Sequence, residues 1–244
     1  MRYLILSDVH ANLEALEAVL EAERSWTQVL MLGDLVGYGA DPNAVVERVR
    51  ALPIAAMVRG NHDKVATGLA PTDTFNPVAR HAIAWTTRML TPENHAWLAA
   101  LPQGPIGVED DVEICHGAPL DEDFYVFDEL DAQRASAGVS RALCLFGHTH
   151  VACVFQLADR AIQTRTPGPE PYVHEFSALS RAMVNCGAVG QPRDGDPRAA
   201  YGVLDTGSRT VTLSRVPYDI QAAQAKILAA GLPSSLATRL GVGR

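Results

Sequence analysis

Arg2 to Asp8 is a continuous apolar run that ends in a carboxylate, the pattern of a strand buried on both faces. Asn12 is placed to cap a helix that runs to about Arg24. Thr27 to Asp34 repeats the apolar run and ends in Gly33-Asp34. Asp41-Pro42 then supplies an N-cap and a first-turn proline for a helix to about Leu52. Ile54 to Val58 reads as a third strand, followed directly by Arg59-Gly60-Asn61-His62-Asp63. Three strand–loop–helix units in succession predict a layered α/β fold.

The middle is less regular. Asn76-Pro77 opens a helical stretch to about Leu90, and Thr91-Pro92 opens another to about Ala100. These two helices either cap a site, over residues 68–100, or pack on the sheet. Pro102, Gly104 and Pro105 end the helical pattern. Strands are expected at Ile106–Val108 and Val112–Cys115, with His116-Gly117 next and a short helix from Glu129 to Ala137. The second half is rich in short strands: Ala142–Phe146, Val151–Leu157, Ala161–Thr164, Tyr172–Phe176, Ala182–Cys186, Ala199–Leu204 and Thr210–Val216. Ala158-Asp159-Arg160 and Thr206-Gly207-Ser208 read as hairpin turns. Asp219 caps a last helix, Ile220 to Ala230, which Gly231 and Pro233 end. This order predicts two packed sheets with helices outside, in one domain spanning residues 1–244.

Composition narrows the function classes. With 28 acidic against 20 basic side chains, the net charge of -8 disfavours binding along extended nucleic acid. The N-terminal run meets Asp8 too early for a secretory segment, and no run of about 18 apolar residues is present to span a membrane. Cys115, Cys144, Cys153 and Cys186 form no CxxC pair and sit in apolar runs, so buried free thiols and a cytoplasmic location are expected.

The chemistry gathers at the ends of the apolar runs: Asp8-Val9-His10, Gly33-Asp34, Gly60-Asn61-His62-Asp63, His116-Gly117 and Gly147-His148-Thr149-His150. Five of the eight histidines lie in these segments. In open α/β sheets, ligands bind at the carboxyl ends of strands, so separate loops can deliver these groups to one crevice. In extended chain, residues i and i+2 point the same way, which would turn Asp8 with His10, and His148 with His150, toward a common ion. Carboxylate, imidazole and one amide oxygen, without thiolate, suit Mn²⁺, Fe²⁺, Co²⁺, Ni²⁺ or Zn²⁺. Six or seven ligands exceed one tetrahedral ion and suit a pair about 3.5–4 Å apart that clamps a transferring phosphoryl group.

The order DxH, GD, GNHD, H, GHxH resembles the calcineurin-like metallophosphoesterase superfamily. The segment Asn185 to Asp196 resembles its branch of small bacterial and archaeal phosphodiesterases, described as diadenosine-tetraphosphatase-like. Many members there carry Pro-Gly-Ser where this chain has Cys186-Gly187-Ala188. The resemblance implies a four-layer αββα sandwich of two mixed sheets flanked by helices. It implies two divalent ions, manganese foremost, with Asp8, His10 and His150 on the first, Asn61, His116 and His148 on the second, and Asp34 bridging. A metal-bridging hydroxide would then attack a phosphodiester, with His62 near the leaving group and Asp63 either orienting His62 or capping the next segment.

Substrate contacts are open on the residues alone. Asn61 is a candidate. Asn12 either caps its helix or touches substrate, and Arg193 either binds phosphate or pairs with Asp194 or Asp196. Asn185 suggests a supporting role, Tyr38 is a weak pocket candidate, and His174 is expected to face solvent. The acidic run Asp121 to Asp131 reads as a solvated face. A small phosphoester, a nucleotide among the options, is the expected partner; an exposed strand in the second half is a candidate for pairing across a dimer, a homo-oligomer. The alternatives are a phosphomonoesterase, a dinucleoside polyphosphate hydrolase, or a metal-bound scaffold without catalysis. A scaffold should lack a key group such as His62, and none is missing. Protein phosphatases of the superfamily usually read GNHE where this chain reads GNHD.

Overall fold

The computed structural model describes residues 1–157 and 162–244. The turn expected at Ala158-Asp159-Arg160, and Ala161 at the start of a strand, lie outside the described residues. Strands and helices are numbered in chain order. One six-stranded sheet has the order β3 (Ile54–Met57), β2 (Gln28–Met31), β1 (Arg2–Leu6), β11 (Ala199–Asp205), β12 (Thr210–Val216), β9 (Tyr172–Glu175). The other has the order β4 (Ile106–Glu109), β5 (Val112–Ile114), β6 (Leu143–Phe146), β10 (Arg181–Asn185), β7 (Cys153–Leu157), β8 (Ile162–Arg165). Both are mixed. β1, β2 and β3 run parallel, as do β5, β6 and β10, while the flanking strands pair antiparallel.

The parity of each central strand explains its unbroken apolar run. Tyr3 and Ile5 of β1 face the other sheet, where they meet Ile114, Leu143, Leu145 and Val184. Leu4 and Leu6 face outward onto α1 (Leu13–Ala22) and α2 (Pro42–Arg50), through Leu16, Val19, Val45 and Val46. On the second sheet, Cys144, Phe146 and Met183 face outward onto α6 (Glu129–Ala135). The layers are therefore helix, sheet, sheet, helix. At about 25 cal/mol per Å² of apolar surface removed from water, three such interfaces supply the main driving force for the fold.

The helices α4 (Pro77–Met89) and α5 (Pro92–Ala99) bury Ala79, Ala82, Ile83 and Leu98 with the helical layer over the first sheet. Asn76 and Thr91 cap them, each accepting from the backbone three residues on. α7 (Ile220–Ala229) packs on the same layer through Ala223 and Ile227. Contrary to expectation it is not the last helix: α8 (Ser234–Leu240) starts right after Pro233 and buries Leu236, Ala237 and Leu240. The sequence also hid α3 (Asn61–Ala66), whose residues are mostly polar yet all buried. The four cysteines are free and buried.

His174 corrects another expectation. It is buried, while its neighbour Val173 is 54% exposed. β9 pairs with β12 so that His174 lies opposite Val211, an inward-facing residue, and the partner strand sets the parity.

Candidate metal centre

The loops after β1, β2 and β3 meet those after β5, β6 and β10, so the carboxyl ends of the parallel strands of both sheets face one crevice. Backbone bonds stitch the loops together. Asp8 N–H donates to Gly33 O at 3.0 Å, His10 N–H to Asp34 O at 3.0 Å, and Gly190 N–H to Asp8 O at 2.9 Å. Asn185 holds the loop after β6, donating to Gly147 O and Thr149 Oγ1 and accepting from Gly187 N–H.

Asp8, His10, Asp34, Asn61, His116, His148 and His150 are all buried here. They fall into two groups. Asp8, His10, Asp34 and His150 each offer a ligand atom within 4.8 Å of one another, and so do Asp34, His116 and His148. The expectation that i and i+2 residues point alike does not hold for His148 and His150, which divide between the groups. Asp8, His10, Asp34, His148 and His150 all have φ between 50° and 69°. That is the left-handed region, costly for residues with a side chain, so turns rather than strand parity aim these groups.

Hydrogen positions follow from the partners. His10 Nδ1 lies 3.1 Å from Val36 O and His150 Nδ1 lies 2.7 Å from Gln191 O. A carbonyl only accepts, so both Nδ1 atoms carry the hydrogen and both Nε2 atoms present lone pairs. Those two Nε2 atoms face each other at 3.0 Å. Asp8 Oδ1, without a hydrogen-bond partner, lies 3.3 Å from His150 Nε2, and Asp34 Oδ2 lies 3.5 Å from His10 Nε2. The second group repeats the arrangement. His116 Nδ1 bonds Leu32 O at 2.7 Å and His148 Nε2 bonds Asp123 O at 3.1 Å. His116 Nε2 then faces His148 Nδ1 at 3.1 Å, Asn61 Oδ1 at 3.3 Å and Asp34 Oδ2 at 3.5 Å. Each group is four lone pairs converging in a buried space, an arrangement that a cation satisfies and an empty site does not. Asp34 Oδ2 belongs to both. Its other oxygen is anchored by His62 N–H at 2.8 Å, as Asp8 Oδ2 is anchored by Ser7 Oγ and His148 N–H.

The electrostatics agree. Burial opposes ionisation of Asp34, but His116, His62 and His10 outweigh it and hold the carboxyl well below its usual range. Burial likewise opposes charge on His116, yet Asp34 and Asp8 raise it to about 10, so the surroundings of its Nε2 favour positive charge. Burial lowers His62 to about 4, with Arg193 adding to it against the pull of Asp34. His62 is therefore a neutral ring at pH 7. It lies among His10, Tyr38 and Phe75, at centroid distances of 4.8, 4.3 and 4.6 Å.

Comparison with known proteins settles the family. A model of the calcineurin-like phosphoesterase superfamily domain matches residues 1–209. The chain belongs to the calcineurin-like phosphoesterase superfamily. An uncharacterized protein of Methanocaldococcus jannaschii is 34% identical, covering 98% of this chain and 97% of that one. The crystal structure of a metallophosphoesterase from Sphaerobacter thermophilus is 40% identical and superposes with a TM-score of 0.89, covering 100% of this chain and 99% of the other. A hypothetical protein from Pyrococcus horikoshii, 17% identical, shares the fold with a TM-score of 0.76, covering 100% of this chain and 98% of its own.

Around this centre the structure decides between readings that the sequence left open. Asp63 does not touch His62. It accepts from Leu35, Val36 and Gly60 N–H at 2.9, 3.2 and 3.0 Å, tying the loop after β2 to the start of α3. Asn12 caps α1 by accepting from Ala15 N–H, and its amide donates to Gly190 O at 2.8 Å, so the capping reading holds and both polar atoms are engaged within the protein. Arg193 pairs with neither Asp194, held by Arg215, nor Asp196, held by Arg198. Its guanidinium bonds Gln191 Oε1 at 2.9 Å and lies 5.5 Å from the centre of the Tyr38 ring. The acidic run is not simply a solvated face, since buried Glu122 pairs with Arg59 and Lys64. Tyr125 stacks on His148 at 3.7 Å. The contacts of Glu122 with Arg59 and of Tyr125 with His148 join segments distant in the chain, and local pattern carries no sign of them.

Proposed function

We propose that this chain is a two-metal phosphodiesterase acting on a small phosphoester. The observation that carries the reading is the pair of lone-pair clusters sharing Asp34 Oδ2. Asp8, His10 and His150 hold one divalent ion, Asn61, His116 and His148 the other, and Asp34 both; manganese is the first candidate, with iron, cobalt, nickel or zinc also suited by the donor set. Such ions acidify water to furnish the nucleophile at neutral pH and neutralise charge on the phosphoryl oxygens. The protein's part is to fix the ligands with one anchored oxygen per carboxylate and to keep the centre buried. His62 stands beside His10 with one N–H to offer, and as a neutral ring it acts by donating a hydrogen bond to the leaving oxygen.

A diester is favoured over a monoester because space for two substituents lies near the centre, in two separate pockets. One is lined by Asn61, His148, Phe75 and Tyr125, with the segment 68–75 as part of its wall. The other, lined by Tyr38, Val78 and Arg239, holds no cluster residue and adjoins the centre through Tyr38, whose ring lies 4.7 Å from His10. A diester has a substituent for each. No helix among the described residues is long and apolar enough to cross a membrane, and the four free thiols fit a reducing cytoplasm.

The test is a titration of metal-free protein with Mn²⁺, Ni²⁺, Co²⁺, Zn²⁺ and Mg²⁺ while hydrolysis of bis-p-nitrophenyl phosphate and p-nitrophenyl phosphate is followed. Metal-dependent cleavage of the diester, lost in Asp34→Ala and His62→Ala, is the expected result. Cleavage of the monoester alone would make the chain a phosphatase. Two bound ions with neither substrate cleaved would leave a scaffold or a narrowly selective nucleotide hydrolase.

A further inference from the structure

Two arginines beside the centre lack an acid. Arg193, in the loop after β10, and Arg239, in α8, both donate to the one oxygen Gln191 Oε1, at 2.9 and 3.2 Å. Neither forms an ion pair with a carboxylate among the described residues. Arg193 Nε is buried without a partner. In a chain with eight more acidic than basic side chains, carboxylates are plentiful and the other half-buried arginines nearby, Arg198 and Arg215, have them. Two like charges converging on a neutral amide repel each other, so the arrangement costs stability unless an anion joins it. Burial together with the neighbouring Arg193 already lowers the Arg239 pKa.

The pair is one side chain away from the metal ligands. Arg193 N–H donates to His150 O at 3.1 Å, and Gln191 O accepts from His150 Nδ1 at 2.7 Å. The Arg193 guanidinium covers Tyr38, whose ring lies 4.7 Å from His10. Arg239 and Tyr38 share the wall of the pocket on this side. Planar guanidinium groups match phosphate oxygens in geometry as well as charge.

We propose that Arg193 and Arg239 form a second anion subsite that binds a non-scissile phosphoryl group, so that the natural substrate is a phosphoester carrying at least one further phosphate. This rests on the phosphodiesterase reading for the scissile bond, and it adds to it a substrate class. Arg239 lies beyond residues 1–209, the part that matches the family model, so the subsite is built partly from the C-terminal helix.

The test has one arm without catalysis and one with it. In the first, thermal unfolding of metal-free protein is measured with inorganic pyrophosphate and with sodium chloride at the same ionic strength. Pyrophosphate is expected to raise Tm of the wild type, and Arg239→Gln and Arg193→Gln are expected to lose that shift while Arg88→Gln, an exposed substitution on α4, keeps it. In the second, manganese-loaded protein is given thymidine 5′-(p-nitrophenyl phosphate) with and without a 3′-phosphate. The extra phosphate is expected to raise kcat/KM about tenfold or more, the scale of one charge-assisted contact, and Arg239→Gln to erase most of that preference. An equal pyrophosphate shift in wild type and Arg239→Gln, or none in either, overturns the subsite. A shift in the first arm with no preference in the second shows an anion site unconnected to substrate and overturns the substrate assignment. Failure to cleave either ester sinks the phosphodiesterase reading while the first arm still decides whether the anion site exists.

Discussion

Asp34→Asn is the sharpest test of the shared-oxygen geometry. Asp34 Oδ1 accepts from His62 N–H, so the variant's amide oxygen must stay there to keep that bond. The NH₂ then takes the place of Oδ2, 3.5 Å from both His10 Nε2 and His116 Nε2. The lone-pair donor proposed to serve both cations becomes a hydrogen-bond donor pointed at their sites, and the negative charge is lost. Loss of supporting groups around metal ligands alone lowers affinity about 10–100-fold, and losing a ligand of both ions costs each at least the upper part of that range.

Saturation at about a thousand times Kd stabilises a fold by about 4 kcal/mol per ion. For a chain of this size that corresponds to roughly 8–16 °C in Tm per ion. The assay is calorimetric unfolding with Mn²⁺ and with EDTA, alongside elemental counting of bound metal. The wild type should show the full metal-dependent rise with two ions per chain, and Asp34→Asn a small fraction of it with one ion or fewer. An Asp34→Asn protein that binds two ions and rises by the same amount would refute the assignment of Oδ2 to both clusters.

Other outcomes follow from neighbouring contacts. In Gly60→Ala the new methyl meets the Asp34 carboxyl and backbone N; overpacking of this kind costs about 1–3 kcal/mol, and thermal melts should fall while metal-dependent hydrolysis falls further, because the displaced group is Asp34. Asp63→Ala leaves the Leu35, Val36 and Gly60 amides without an acceptor, at about 1–3 kcal/mol for each; a loss below about 1 kcal/mol in urea unfolding would mean water replaces the carboxylate. The metal-free protein should be acid-labile. Burial first of all lowers His62 to about 4 and His148 to about 3, below an unfolded value near 6.5. The unfolded chain therefore takes up protons that the folded one refuses. This contribution is fully present above about pH 6.5 and is lost as pH falls toward 4, at about 1.4 kcal/mol per pH unit for each histidine. His116 works in the opposite sense: its stabilisation is present below about 6.5 and lost as pH rises through about 10. Urea midpoints between pH 4 and 8 decide whether the lowered histidines prevail, as they should.

The strands and the polar residues that end them were legible because both faces of the central strands are covered. After Arg2, the run Tyr3 to Leu6 has no charged position to blur it until the chain leaves the sheet. Ordered polar groups at those ends were enough to collect the cluster residues and the family. The rest failed where the deciding partner was distant. His174 took its face from Val211 on the paired strand. α3 is polar in composition, and its burial comes from partners distant in the chain: Val65 and Ala66 join the core over the first sheet and Lys64 pairs with Glu122. Arg239 meets Gln191 across 48 positions of sequence, and Tyr125 meets His148 with α6 and β6 between them in the chain. The aim of His148 and His150 was misjudged because periodicity presumes extended backbone, and these residues are left-handed.

That left-handed backbone says what the fold is built to hold. Of the eight non-glycine residues with positive φ among the described residues, Arg209 alone lies away from the crevice. Asp8, His10, Asp34, His148 and His150 are cluster members, Tyr38 covers His10, and Ala11 follows it. Each such conformation costs about 1–3 kcal/mol and persists only where surrounding structure fixes it. Here that structure is the set of backbone bonds between loops and the close approaches at Gly60 and Gly37, where a side chain would strike Asp34 or His62. Strain, lone-pair repulsion and an unpaired arginine couple therefore accumulate at one edge of two otherwise well-packed sheets. The lone pairs call for cations and the arginine couple, in the subsite proposed above, for an anionic group, while the strained backbone is what holds the cluster side chains in place before either arrives.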